Sequence, residues 1–157
     1  MEGSRLALII LRVWLILCAC VVLGTSVDLA NYTTSRDIQE FCKVVENSSN
    51  CNLHGLVAAV EFTAFAGAWG LIAALLGLIS AFITAIPWVA VAVIDGLACI
   101  FYFAGGVRLA VWISDYPCRG THCTELKADT AFLFLGLLTT LVLIALGFFW
   151  QRGSRKF

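Results

Sequence analysis

Apolar residues fill the chain in four long blocks, Leu6–Val27, His54–Phe82, Trp88–Ile113 and Asp129–Trp150, separated by polar stretches. The middle two are the most telling. From His54 to Ser114, 61 residues hold only three formal charges, Glu61, Asp95 and Arg108. A helix needs about 20 apolar residues to cross a bilayer. Each block therefore predicts one span, with a tight turn at Ile83–Pro87 and outer loops over residues 28–53 and 114–128. The expected fold class is an all-α membrane protein, a four-helix transmembrane bundle of M shape. One domain covers residues 1–157.

Composition agrees: 61% of the chain is hydrophobic and 13% charged, a membrane composition. Net charge is zero and there is no basic patch, which argues against nucleic acid as a partner. The first block reads as a retained helix rather than a cleaved signal. Arg12 interrupts it, and it is longer than the roughly 7–15 residues of a signal core.

Orientation follows from the flanking charges. Arg5, Arg12, Arg152, Arg155 and Lys156 cluster at the two ends of the chain, whereas the long loops dilute their basic residues with acidic ones. That bias predicts both termini in the cytoplasm. The cysteines point the same way. Cys42 and Cys51 lie in the first long loop, Cys118 and Cys123 in the second, and paired cysteines on one face suggest an oxidising compartment. A bridge between Cys118 and Cys123 is the favoured covalent feature, although four cysteines allow three pairings. Two glycosylation sequons, at Asn31 and Asn47, fall in the first loop. Asn31 sits close to the membrane. Cys18, Cys20 and Cys99 fall within spans and read as small apolar residues.

The second span is rich in small residues. Ala66, Gly70 and Ala74 recur at four-residue spacing, as do Ala73, Gly77 and Ala81. In the third span Ala92 pairs with Gly96, and Gly106 with Ala110. Such stripes let helix backbones approach closely in lipid. They predict packing within one bundle, with a self-association face as the alternative. Trp14 and Trp69 lie deep in their spans and are expected to pack within or against the bundle.

Charges within spans are costly and need partners. Arg12 lies six residues inside the first span and Asp95 seven residues inside the third, from the same side. At 1.5 Å per residue both sit about 9–10 Å deep. Glu61 and Arg108 match in depth near the opposite face. Two intramembrane pairs are therefore expected, Arg12–Asp95 and Glu61–Arg108. They read first as register locks, because the charges balance and sit off the midplane. A proton or ion relay is the competing reading. No nucleophile elbow, phosphate loop or metal motif is visible. No enzyme, cofactor or metal is expected.

The run from Asp95 to Gly106, followed by Arg108, Ala110, Cys118, Cys123 and Lys127–Phe132, resembles fungal MARVEL-domain proteins of the non-classical export type. The opening helix around Arg12 is similar too. The resemblance implies a tetraspan with cytoplasmic termini that organises membranes: plasma-membrane microdomains, vesicle traffic or eisosome-type compartments. It implies membrane lipids as partners, sphingolipid or sterol among them, together with other membrane proteins or further copies of the chain. The family's acidic residue in the third helix carries over to Asp95, and its outer cysteine pair to Cys118 and Cys123. The Cys42/Cys51 pair, the sequons and the short tail depart from the pattern. The competing function is a small transporter, pore or accessory subunit that uses the buried charges.

Overall fold

A computed structural model describes residues 2–34, 53–82, 87–115 and 121–154. They form four helices: α1 (Glu2–Thr34), α2 (Leu53–Phe82), α3 (Trp88–Asp115) and α4 (Thr121–Ser154). Each contains a stretch long and apolar enough to cross a membrane: Leu6–Asn31, Gly55–Phe82, Trp88–Ser114 and Thr124–Phe149. In lipid a lone segment can satisfy its backbone hydrogen bonds only as a helix, so uninterrupted apolar runs of this length fold this way. Pro87 immediately precedes the third helix, its carbonyl accepting from the Ala90 amide at 3.0 Å.

The first and last helices outrun their apolar blocks. α1 continues to Thr34 rather than ending at Val27, and α4 starts at Thr121 rather than at Asp129. Hydropathy marks where the lipid is, whereas a helix continues as long as its own backbone bonding does. Cys42, Asn47, Cys51 and Cys118 lie outside the described residues. Cys123 is in the first turn of α4, its side chain outside them as well.

The helices pack in a closed ring, α1 on α2, α2 on α3, α3 on α4 and α4 back on α1. Neighbours run antiparallel, which brings both chain ends and the turn between α2 and α3 to one end of the bundle (the terminal end) and the other two connections to the opposite end (the loop end). Large apolar side chains of all four helices point outwards, among them Ile10, Ile72, Ile100 and Leu138. The interior instead follows a seven-residue rhythm. Arg12, Ala19 and Ser26 line α1; Thr63, Gly70 and Gly77 line α2; Asp95, Tyr102 and Leu109 line α3; Asp129, Gly136 and Leu143 line α4. All twelve are buried. A seven-residue repeat keeps one face of each helix on the bundle axis. The rhythm stacks three levels, with Arg12 and Asp95 at the terminal end, Tyr102 in the middle, and Ser26, Thr63 and Asp129 at the loop end. Arg12 and Ser26 are fourteen residues apart, about 21 Å along the helix.

Small residues set how closely the helices approach. A Cβ at Gly67 would meet Val22 Cγ1 at 3.1 Å and the Leu23 backbone nitrogen at 3.2 Å, so α1 and α2 touch almost backbone to backbone. Ala66, Gly70 and Ala74 are all buried. Their stripe faces the bundle interior, not a second copy. Gly106 lies against the Phe134 ring, 3.2 Å from where its Cβ would be. Gly96 differs from the expectation: nothing lies within 4 Å of a Cβ built there. It follows Asp95, which points inwards, and so turns away from the contact. Trp14 is 44% exposed and faces outwards, because Leu15 beside it takes the interior position.

Candidate functional site

The terminal-end level is built around one ion pair. Arg12 Nη1 donates to Asp95 Oδ1 at 2.7 Å, and Nη2 to Oδ2 at 2.5 Å. This is the two-pronged geometry that guanidinium and carboxylate share. Both side chains are buried, and among the described residues this is the sole salt bridge. It crosses the ring diagonally, from α1 to α3. Gly77 on α2 makes the crossing possible, since a Cβ there would collide with the Arg12 guanidinium.

The loop-end level holds a carboxylate without a cation. Asp129 is 1% exposed. Its Oδ1 accepts from Thr25 Oγ1 at 3.0 Å and its Oδ2 from Ser26 Oγ at 3.1 Å. Ser26 Oγ lies 3.0 Å from Thr63 Oγ1, which donates to the Val60 carbonyl at 2.8 Å. Hydroxyl groups thereby tie α1 and α2 to α4. Burying a carboxylate is costly unless hydrogen bonds replace its water; the Thr25 and Ser26 hydroxyls supply two such bonds, and Thr63 lies against Ser26 behind them. In the sequence Asp129 only marks the edge of the fourth apolar block, next to the charged stretch of Glu125 and Lys127. The available signal was its seven-residue spacing from Gly136 and Leu143, which puts it on the buried face of a helix that starts earlier.

Between the two levels lies Tyr102. Its hydroxyl fills the space a Cβ on Gly70 would need, and its ring lies 3.2 Å from where a Cβ on Gly136 would be. The hydroxyl is buried with no hydrogen-bond partner. Gly70 is marked in the sequence by its small-residue stripe, but Tyr102 and Gly136 are not, because the relation of the three is one of shape across three helices.

The expected Glu61–Arg108 pair does not form. Both residues are described, both are exposed, and no ion pair joins them. Depth alone was matched. The inward face of α2 is set by Thr63, Gly70 and Gly77, and Glu61 lies two residues from Thr63 on the opposite side. On α3, Leu109 points inwards and Arg108 beside it does not. Of the span cysteines, Cys18 is buried and Cys99 half-buried, but Cys20 is exposed at mid-span; all three are free thiols. Asn31 is exposed at the loop end of α1. Among the described residues, no three His, Cys, Asp or Glu side chains gather where they could hold a metal.

No curated protein and no solved structure matches the chain. A family model does, that of the MARVEL membrane-associating domain, and it matches residues 5–149. That stretch takes in all four apolar spans, the diagonal ion pair and the Asp129 cluster: the chain belongs to the MARVEL family of integral membrane proteins.

Proposed function

We propose that this protein is a non-enzymatic membrane organiser, acting in plasma-membrane microdomains or vesicle traffic through packing against lipids and other membrane proteins. One observation carries the reading. The centre of the bundle is closed by the Tyr102 ring between Gly70 and Gly136, while both interior carboxylates are held by side chains of neighbouring helices. A conduit would keep a coupling group near the midplane on a broken helix; here the midplane is filled and the helices are continuous. The apolar surface on all four helices supports a protein whose contacts are made within the bilayer.

Finer parts of the proposal rest on sequence. Both termini face the cytoplasm by the distribution of basic residues. The Cys118/Cys123 and Cys42/Cys51 pairs then lie on the oxidising side, with Asn31 and Asn47 as glycosylation sites. The resemblance to fungal non-classical export proteins favours an eisosome-type compartment rich in sphingolipid or sterol.

The test is to localise a tagged chain and to identify, by mass spectrometry, the lipids and proteins that travel with it in mild detergent. Concentration in plasma-membrane patches with reproducible companions is expected. An Asp95→Asn chain that keeps its fold and location, in a system where the wild type carries measurable proton or solute flux and the variant does not, would replace the organiser with a transporter.

A further inference from the structure

Four oxygen atoms stand in a row at the loop end: the Val60 carbonyl, Thr63 Oγ1, Ser26 Oγ and Asp129 Oδ2. Successive members are 2.8, 3.0 and 3.1 Å apart. Each of these contacts has a hydrogen-bond distance and needs a proton between its oxygens. A hydroxyl has one proton to give and a carbonyl none. Thr63 and Ser26 therefore bring two protons to three contacts. Thr25 cannot supply the third. It stands outside the row, and its one proton already faces Asp129 Oδ1 at 3.0 Å and the Val21 and Val22 carbonyls at 2.9 and 3.1 Å. An ionised Asp129 would thus leave two buried oxygens in contact with nothing between them.

Charge gives the same answer independently. Asp129 is 1% exposed, and its partners among the described residues are hydroxyls, not cations. Asp28 on α1, Glu61 on α2, Arg108 on α3 and Lys127 on α4 are all exposed. Glu125, one turn earlier on α4 and so on the same side, is a second acid and no counter-ion. A carboxyl group buried without a counter-ion neutralises itself by holding a proton.

We propose that Asp129 is a proton-binding site, occupied at neutral pH, and that it stands in the closed bundle as an uncharged carboxylic acid. The proton comes from the surrounding water; Oδ2 forms the O–H bond and loses its negative charge. Oδ2 then donates to Ser26, Ser26 to Thr63 and Thr63 to the Val60 carbonyl, so three contacts hold three protons that all point one way. No heavy atom moves; only the sense of the Ser26 bond reverses. Bonds in such a chain polarise and strengthen one another. Oδ1, now the carbonyl oxygen of the acid, accepts from Thr25. The proton does for Asp129 what Arg12 does for Asp95. It is held and not passed on, because Tyr102 fills the bundle between this row and the ion pair. The site goes beyond the organiser reading and does not depend on it.

The test is infrared spectroscopy of the full chain in phosphatidylcholine vesicles at neutral pH. The wild type is expected to show the carbonyl stretch of a protonated carboxylic acid, and Asp129→Asn to lose it. Ser26→Ala removes the acceptor of the acid proton, so it is expected to shift that band towards the position of a free acid while circular dichroism stays unchanged. Exchanging sodium in the buffer for a bulky organic cation should leave the band where it is. If Asp129→Asn misfolds, isotope-labelled aspartate in the wild type assigns the band instead, which must then move with the label. A folded wild type without the acid band would overturn the proposal. So would a band that survives in folded Asp129→Asn or ignores the label, since its owner is then another group. A band unmoved by Ser26→Ala would overturn the bond from Oδ2. A carboxylate signal that depends on sodium would put a metal ion in the proton's place and overturn the proposal as well.

Discussion

The two ends of the bundle each bury an aspartate, and they do so by different chemistry. At the terminal end Asp95 meets a full positive charge, and the two side chains satisfy one another across the ring diagonal. At the loop end Asp129 is held by hydroxyl groups of α1, with α2 joined through Ser26. An ion pair places all its dependence on two residues. A hydroxyl cluster spreads it over several, two of them with a backbone acceptor in reach: Thr25 also reaches the Val21 and Val22 carbonyls, and Thr63 that of Val60. The terminal end should therefore break sharply and the loop end gradually.

The largest effect is expected from Arg12→Ala. It leaves Asp95 buried and unpaired, a loss of about 3–5 kcal/mol, measurable as denaturant unfolding in mild detergent followed by helical circular dichroism. Replacing both partners by leucine should recover most of that loss, because two matched apolar side chains leave no stranded charge. If the double variant is as unstable as Arg12→Ala, the pair does more than neutralise itself. Gly77→Ala comes next. Its new methyl group would occupy the path of the guanidinium, and overpacking of this kind costs about 1–3 kcal/mol; combined with Arg12→Leu and Asp95→Leu, the penalty should shrink.

Asp129→Asn is expected to be milder, about 1 kcal/mol, since an amide still accepts from one hydroxyl and the others turn to backbone carbonyls. A loss as large as that of Arg12→Ala would erase the contrast between the ends. The smallest effect has the opposite sign. Tyr102→Phe removes a buried hydroxyl that has no partner and should raise stability by up to about 1 kcal/mol. A clear loss in the same unfolding assay would mean that the hydroxyl has a role its surroundings do not reveal.

Much of this was legible beforehand. Four apolar blocks gave four spans because the bilayer leaves a polypeptide few alternatives. Equal depth brought Arg12 to Asp95 because both also lie on inward faces. The same reasoning misplaced Glu61 and Arg108, since depth is one coordinate and the direction of a side chain around its helix is another. Asp129 was hidden by its neighbours: Glu125 and Lys127 made its surroundings look like a loop, whereas α4 was already helical from Thr121. The Tyr102 contact is a matter of shape among residues on three helices, for which one sequence carries no signal. The seven-residue rhythm would have exposed all three, because it assigns faces as well as depths.

Arg12 and Asp95 are 83 positions apart, and a ribosome makes them in that order. While the chain is being threaded into the bilayer, the cation enters first and waits through the whole second span for its counterpart. A product cut short before the third span would retain an uncompensated guanidinium in the lipid. The diagonal bond can close only after 95 of the 157 residues have been made.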